Sequence, residues 1–218
     1  MIISCIGDSL TQGDYGVYGK SGIANVKEKN YPYFLKELTG AEVRNFGYCG
    51  FRSLEILNLI NANEINVNGS DVVIILLGTN GGMSGDEHTE CNDAYDKIIT
   101  YCKKNTHEAH IFLCTPPHVT NDPTKSNYGY FSRIKGAYEY IIKNYKEEEN
   151  IHIIDLFNDD TFNENNEDIM QPNDGLHFGE VGYRTLANII YNRIKNYFWE
   201  VALWNFTDAL FVAKSLPW

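Results

Sequence analysis

An unbroken run of six apolar residues, from Val72 to Leu77, constrains the fold of this chain more than any other stretch. It reads VVIILL, and the residues GTNGG that follow at 78–82 do not continue a regular element. A short apolar run rich in β-branched residues is typical of a strand that is covered on both faces. Strands of that kind occur mainly in parallel sheets with helices on each side. The run therefore predicts the central strand of an α/β protein.

Four more apolar stretches predict strands, and amphipathic stretches between and after them predict helices. The predicted strands are residues 2–6, 41–46, 72–77, 111–115 and 151–156. The predicted helices are residues 31–38, 54–62, 90–104, 131–146 and 181–198, with Gly40 ending the first and Ser53 capping the second. Alternating strands and helices with right-handed crossovers predict a three-layer α/β/α sandwich around a five-stranded parallel sheet. We expect the flavodoxin-like strand order 2-1-3-4-5.

The chain of 218 residues predicts one domain with an additional segment. We assign residues 1–198 to the domain, in which residues 14–30 predict a long loop. Residues 199–218 form a C-terminal tail that contains all three tryptophans. The tail predicts a helix packed on the domain or on a second copy in a homo-oligomer. The alternatives are an interfacial anchor, for which Lys214 alone supplies positive charge, or a cover over the functional site.

The composition argues against several classes of function. A net charge of -11 and a pI near 4.9 disfavour a nucleic-acid partner, because phosphates are bound largely by Lys and Arg. No apolar run approaches the ~20 residues of a membrane span. No signal sequence precedes the first predicted strand, so we expect a cytoplasmic protein unless a signal peptide has been removed. The five cysteines form no C-x-x-C pair and are expected to be reduced.

Polar residues follow the predicted strands at the edge where a parallel α/β sheet binds its ligands. Ser9, Gly50 and Asn80 come after the first, second and third strands, and Asp174 and His177 precede the last helix. A serine becomes an effective nucleophile when a histidine takes its proton and a carboxylate holds that imidazole in the right tautomer. His177 and Asp174 suit these two roles for Ser9. The backbone N–H groups of Ser9 and Gly50 and the side-chain amide of Asn80 suit an oxyanion hole.

Each of these residues also has a simpler interpretation when it is taken alone. Ser9 is then a serine in a loop, Gly50 a turn glycine and Asn80 a cap for the next segment. Asp174 and Gly175 form a common turn pair. The order and placement of the four stretches together favour the catalytic interpretation.

The four stretches resemble the sequence blocks of the SGNH hydrolases, the GDSL esterase and lipase superfamily. GDSL at residues 7–10 is similar to the nucleophile block, and Gly50 to the glycine block. GTN at residues 78–80 is similar to the asparagine block, and DGLH at residues 174–177 to the Asp-x-x-His block. The resemblance covers residues 1–197 and leaves the tail outside. It implies the SGNH hydrolase fold.

The resemblance also implies roles that agree with those argued from the residues. Ser9 would be the nucleophile, His177 the base and Asp174 its partner. Ser9, Gly50 and Asn80 would form the oxyanion hole. Two departures leave the subfamily open: Gly81 stands where Asp is frequent, and FR at residues 51–52 where Asp-Thr is frequent.

We therefore expect a serine esterase that forms an acyl-enzyme and needs neither a metal nor a cofactor. The absence of a long apolar lid near the site favours a short acyl group. Three tyrosines near the first block, Tyr15, Tyr18 and Tyr31, are candidates for stacking on a sugar, which favours O-acetyl esters of carbohydrates. Further candidate substrate-binding residues are Asp8, Arg52 and His118.

Three other interpretations remain open at this point. A lysophospholipase or thioesterase of the same superfamily is the enzymatic alternative. A flavodoxin-like module that binds phosphate or flavin at the first strand end would suit the fold, but it leaves Asp174 and His177 without a role. A scaffold that keeps the sequence blocks without activity is the third.

Overall fold

The computed structural model describes residues 1–18, 24–83, 89–106 and 108–198. The strands are β1 (Ile2–Gly7), β2 (Asp14–Tyr18), β3 (Ala24–Val26), β4 (Glu42–Gly47), β5 (Val72–Leu76), β6 (His110–Cys114) and β7 (Ile151–Ile154). The helices are α1 (Ser9–Gln12), α2 (Tyr31–Thr39), α3 (Ser53–Asn61), α4 (Thr89–Asn105), α5 (Phe131–Asn144), α6 (Glu167–Met170) and α7 (Glu180–Ile194). The tail proposed for residues 199–218 lies outside the described residues.

The main sheet has five parallel strands in the order β4-β1-β5-β6-β7. When only these five strands are numbered along the chain, their order in the sheet is 2-1-3-4-5, so the predicted topology is confirmed. β5 lies at the centre of the sheet, and all five of its residues are buried. The apolar run therefore forms the central strand, as expected.

The two faces of the sheet bury separate hydrophobic clusters, because successive side chains of a strand point to opposite sides. Val72, Ile74 and Leu76 pack in the cluster that contains residues of α2 and α7. Val73 and Ile75 pack in the cluster that contains residues of α3 and α4. Each of these fully buried side chains contributes about 1.5 to 3 kcal/mol relative to an exposed one.

The junction between β1 and α1 places Ser9 at the carboxyl end of the sheet. Asp8 caps α1 by accepting a hydrogen bond from the backbone N–H of Leu10 at 3.0 Å. Tight packing against β4 holds α1 in this position. A Cβ on Gly47 would lie 2.1 Å from the backbone nitrogen of Gln12, so β4 approaches α1 closely only because residue 47 is glycine.

Two local predictions are wrong. Residues 14–30, predicted as a loop, contain β2 and β3, which pair antiparallel with Asp14 opposite Val26. Tyr15 secures this ribbon by packing against Tyr183 with ring centroids 5.3 Å apart. Ser53 does not cap α3, because Arg52 occupies the N-cap position and the Ser53 hydroxyl donates to the backbone oxygen of Cys91.

Other local predictions are confirmed. Gly40 ends α2 in the left-handed conformation, with φ of 66°. All five cysteines are free thiols, and Cys49 alone among them is not fully buried. Within the described ranges, no helix has the length and apolar character that crossing a bilayer would require.

Candidate active site

Ser9, His177 and Asp174 form a continuous chain of hydrogen bonds. The Nε2 atom of His177 lies 2.9 Å from the Oγ atom of Ser9, and Nδ1 lies 2.7 Å from Oδ2 of Asp174. All three side chains are buried, with 4%, 6% and 7% relative exposure for Ser9, His177 and Asp174. A carboxylate only accepts hydrogen bonds, so Nδ1 of His177 carries a proton and Nε2 is left to accept from the Ser9 hydroxyl. Residues 168 positions apart in the chain thus meet as the sequence predicts.

The turn that carries Asp174 and His177 is fixed by its own hydrogen bonds. The Oδ1 atom of Asp174 accepts the backbone N–H groups of Leu176 at 3.0 Å and of His177 at 2.8 Å. Gly175 adopts a φ of 71°, which glycine allows without strain. The side-chain amide of Gln171 donates to the backbone oxygen of Leu176 at 3.0 Å. These contacts leave Oδ2 of Asp174 to the imidazole.

The two partners shift each other's pKa in opposite directions. Burial lowers the pKa of His177, but the hydrogen bond and charge of Asp174 outweigh it and hold the pKa above its ordinary value. Burial raises the pKa of Asp174, but the contacts with His177 and the backbone N–H groups outweigh it and hold that pKa below its ordinary value. Asp174 is therefore ionised at neutral pH, and the imidazolium of His177 is stabilised.

The oxyanion candidates lie on loops that are tied to one another. The backbone N–H of Tyr48 donates to the oxygen of Gly7 at 3.1 Å, which fixes the turn before Gly50 next to Ser9. The side-chain amide of Asn80 donates to the backbone oxygen of Phe51 at 2.9 Å, which joins the third loop to the second. In the part of the chain that the structure describes, no protein acceptor is found for the backbone N–H of Ser9 or Gly50.

The three candidate substrate-binding residues differ in their placement. Asp8 is fully buried as the cap of α1, and its role in substrate binding stays a prediction. Arg52 forms an ion pair with Glu55, with its Nη2 atom 2.8 Å from Oε1. The Nε2 atom of His118 lies 3.7 Å from Oε2 of Glu167. Among the described residues, no hydrogen bond connects His118 to Ser9.

The expectation that tyrosines near the first block stack on a sugar is wrong for two of them. Tyr31 is fully buried, and its hydroxyl lies 3.2 Å from that of Thr11. Tyr15 is 5% exposed, and its hydroxyl donates to the backbone oxygen of Lys29. Both side chains belong to the core beneath the site. The side chain of Tyr18 lies outside the described part.

Asp14 is a buried carboxylate at the site that the sequence analysis missed. Its Oδ2 atom lies 3.6 Å from Nε2 of His177, the same nitrogen that contacts Ser9. Gly16, two residues later, packs so closely that a Cβ there would lie 2.6 Å from Cγ of Asp174. The alternating, aromatic-rich DYGVY sequence of β2 is the signal that would have revealed this strand.

A sequence model of the GDSL-like lipase/acylhydrolase family matches residues 5–185. The chain belongs to this family. Membership confirms the resemblance that the four blocks indicate. A curated relative, the N-acylneuraminate cytidylyltransferase of Escherichia coli, is 30% identical over 162 residues. That match covers 74% of this chain and 37% of the relative, so the chain spans little more than a third of the length of this larger protein.

Solved structures of GDSL-like proteins share the fold of this chain. An acetyl xylan esterase superposes with a TM-score of 0.63 at 19% identity, and the match covers 89% of this chain and all of that one. A carbohydrate acetylesterase from Sinorhizobium meliloti superposes with a TM-score of 0.58 at 16% identity, covering 89% of this chain and 98% of that one. At sequence identities this low, the likeness shows a shared fold and nothing more.

Proposed function

We propose that this GDSL-like hydrolase removes short acyl groups, in particular O-acetyl groups, from carbohydrate esters through a Ser9–His177–Asp174 triad. The observation that carries the proposal is the pair of hydrogen bonds on His177, 2.9 Å to Ser9 and 2.7 Å to Asp174. Nucleophile, base and orienting carboxylate are within the reach that nucleophilic catalysis needs.

The acylation step follows from the tautomer of His177. Its Nε2 atom accepts the proton of the Ser9 hydroxyl while Oγ forms a bond to the ester carbonyl carbon. Asp174 stays ionised and stabilises the resulting imidazolium through Nδ1. When the tetrahedral intermediate collapses, the bond to the leaving alcohol breaks and Nε2 returns the proton to the alcohol oxygen. The acyl group remains as an ester on Ser9.

The charge on the tetrahedral intermediate requires preorganised donors. The backbone N–H groups of Ser9 and Gly50 are suited to this because no protein acceptor occupies either one in the described structure. Asn80 donates one N–H to the backbone oxygen of Phe51, which orients the amide and leaves its second N–H for the oxyanion.

Deacylation reverses the roles around the same histidine. A water takes the place of the alcohol, and Nε2 of His177 accepts one of its protons as the water oxygen attacks the acyl carbon. Collapse of the second intermediate releases the carboxylic acid and returns the proton to Oγ of Ser9. The free enzyme is then restored with no change in its charge.

Two kinds of support favour a small acyl group on a sugar. Ser9 is 4% exposed, so the nucleophile lies in a confined position that suits an acetyl group better than a long chain. The two structural neighbours are named for acetyl xylan and carbohydrate acetyl esters, and the curated relative is named for a sugar, N-acylneuraminate. These names describe those proteins and motivate the choice of substrates to test.

The test compares p-nitrophenyl acetate, butyrate and octanoate with acetylated xylo-oligosaccharides and O-acetylated neuraminic acids, using wild type and Ser9→Ala. We expect the highest kcat/KM for acetate, release of acetate from at least one of the two acetylated sugar classes, and loss of activity in Ser9→Ala. A preference for octanoate or for acyl thioesters would instead favour a lysophospholipase or thioesterase. Equal activity in wild type and Ser9→Ala would overturn the proposal.

A further inference from the structure

We propose that Asp14 is a positioning residue that acts through His177, favours its protonated form, and so sets the pH at which esterase activity appears. The inference rests on the proposed role of His177 as the base. It adds to the triad a second carboxylate, supplied by the β2–β3 ribbon rather than by the Asp174 turn.

The imidazole of His177 lies between two carboxylates. Asp174 contacts Nδ1 at 2.7 Å, and Oδ2 of Asp14 lies 3.6 Å from Nε2 on the opposite side of the ring. Asp14 is 2% exposed, so water screens its charge poorly. A neutral imidazole offers no charge to this carboxylate, whereas an imidazolium places a positive charge 3.6 Å from it. The geometry therefore favours the protonated ring.

Local contacts hold the Asp14 carboxylate in this orientation. Its Oδ1 atom accepts the backbone N–H of Gly16 at 2.9 Å, and its backbone oxygen accepts the hydroxyl of Tyr183 at 2.6 Å. The thiol of Cys49 lies 3.8 Å from Oδ2 as a weak donor. Burial and the charges of Asp14 and Asp8 raise the pKa of Cys49 to about 12, so this neighbour stays neutral at the site.

Among the described residues, charged groups that act on His177 lie on three elements. Asp174 lies on the same turn, Asp14 on β2 and Asp8 at the start of α1, and all three raise the pKa of His177 against the lowering effect of its burial. Burial raises the pKa of Asp8 to about 6, so its charge fades below that pH. Burial also raises the pKa of Tyr183 well above its ordinary value, which keeps that phenol neutral. Asp174, whose pKa is held below its ordinary value, therefore stays charged in mildly acidic solution.

The charge of Asp14 should shift the pH dependence of activity toward higher pH. His177 acts as a base only when Nε2 is unprotonated, so kcat/KM falls as pH drops through the pKa of the imidazole. A carboxylate next to Nε2 raises that pKa and moves the loss of activity to higher pH. The same carboxylate stabilises the imidazolium once the Ser9 proton has arrived. Asp14 thus lowers the activity at acidic pH and stabilises the imidazolium that forms during the reaction.

The test is the pH profile of Asp14→Asn. The asparagine keeps an oxygen for the N–H of Gly16 and removes the charge that faces Nε2. We expect the acid limb of kcat/KM to move to lower pH by about one unit, and the rate at the high-pH plateau to fall by less than about tenfold. Asp168→Asn is the matched control, because it removes the same charge from a side chain that is 95% exposed, and its profile should not move.

A second readout does not depend on activity. The Cε1 proton of His177, followed by NMR, should titrate above pH 6.5 in wild type and at lower pH in Asp14→Asn. Asp14→Ser, whose hydroxyl also accepts from a backbone N–H two residues on, gives a second variant without the charge. A His177 titration at the same pH in wild type and in Asp14→Asn would overturn the proposal, as would an acid limb that stays in place in a folded variant.

Failure of this proposal can be told apart from failure of the esterase mechanism. If wild type hydrolyses esters, Ser9→Ala is inactive and the acid limb of Asp14→Asn does not move, only the role of Asp14 is wrong. If wild type and Ser9→Ala behave alike, the triad is wrong, and the NMR titration still decides whether Asp14 favours the protonated imidazole.

Discussion

His177 makes a different contact on each ring nitrogen, and each contact has its own consequence. Asp174 fixes the proton on Nδ1, and this leaves Nε2 as an acceptor 2.9 Å from the Ser9 hydroxyl. Because both contacts are buried, the ring has few alternative orientations. Whether His177 can act as a base for Ser9 therefore depends on which ring nitrogen carries the proton.

Asp174→Asn should reverse the tautomer of His177. The backbone N–H groups of residues 176 and 177 would hold the asparagine oxygen in the place of Oδ1, which turns the NH₂ group toward Nδ1. Nε2 would then carry the proton and could not accept one from Ser9. We expect kcat/KM to fall by about 10³- to 10⁴-fold with the fold intact by circular dichroism. A loss of less than tenfold would mean that Asp174 does not orient the base.

Asn80→Ala tests the oxyanion hole. The variant removes the amide that would bind the developing negative charge, so kcat should fall by roughly 10²- to 10³-fold with little change in KM. Asn188→Ala is a suitable control, because Asn188 is exposed and bonds within its own helix to the backbone oxygen of Arg184. An unchanged kcat in Asn80→Ala would remove Asn80 from the mechanism.

Site residues differ in how well the sequence predicts them. Ser9, Asp174 and His177 lie in short blocks whose residue types already indicate acyl transfer, so they could be named from the sequence. Asp14 could not, because its position beside Nε2 depends on the turn from α1 into β2. Tyr31 was misplaced for a related reason: an aromatic residue near a catalytic block is as suited to the core beneath the site as to its surface.

At the scale of elements, the packing of α1 on β4 positions the nucleophile. Gly47→Ala would place a Cβ 2.1 Å from the backbone of Gln12 and push α1 away from the strand. We expect the free energy of unfolding in urea to fall by about 1 to 3 kcal/mol, and activity to fall as well because α1 carries Ser9.

Gly129→Ala is the matched control for this prediction. A Cβ on Gly129 meets nothing within 4 Å, and its φ lies outside the left-handed region. The free energy of unfolding of Gly129→Ala should differ from that of wild type by less than about 1 kcal/mol. Equal stability of the two variants would show that α1 and β4 can separate without cost.

Elements with a strong apolar pattern were predictable, and the short ribbon was not. β5 is apolar in every position because both of its faces are covered, and Gly40 marks the end of α2 because it adopts positive φ. Within the described residues, β2 and β3 pair with each other alone, and β2 carries glycine, tyrosine and a polar residue. β2 contacts α7 through Tyr183 and the 172–177 turn through Asn173, and such long-range contacts cannot be predicted from local sequence.

At the scale of the whole molecule, the buried Asp8 makes stability depend on pH. Its carboxylate is fully buried, and burial raises its pKa from 3.8 to about 6. A carboxyl group with a raised pKa binds more protons in the folded state, so the contribution of Asp8 to wild-type stability falls as pH rises from about 4 to about 6. Above pH 6, the buried charge of Asp8 lowers the free energy of unfolding by about 3 kcal/mol relative to its value below pH 4.

Asp8→Asn should remove this dependence. The asparagine oxygen can still cap α1 by accepting from Leu10, and no charge is buried at position 8 at neutral pH. We expect the variant to be more stable than wild type by about 1 to 3 kcal/mol at pH 8, with a difference that narrows toward pH 4. Urea unfolding at several pH values measures this. A difference that grows toward low pH would contradict the burial argument.

The overall topology was predictable because few arrangements satisfy the rules for parallel sheets. Right-handed crossovers and short connections leave the order 2-1-3-4-5 as the expected one for five strands with helices on both faces. That order also determines where the polar loops meet. The placement of residues 199–218 on the domain or on a second copy stays a prediction.

The proposed mechanism requires Ser9 to be the nucleophile that carries the acyl group. The most direct measurement is intact-protein and peptide mass spectrometry after reaction with a fluorophosphonate, which forms a stable bond to an activated serine. We predict one adduct per wild-type chain, on the peptide that contains Ser9, and none in Ser9→Ala. An adduct on another residue, equal labelling of Ser9→Ala or no labelling of wild type would contradict the account.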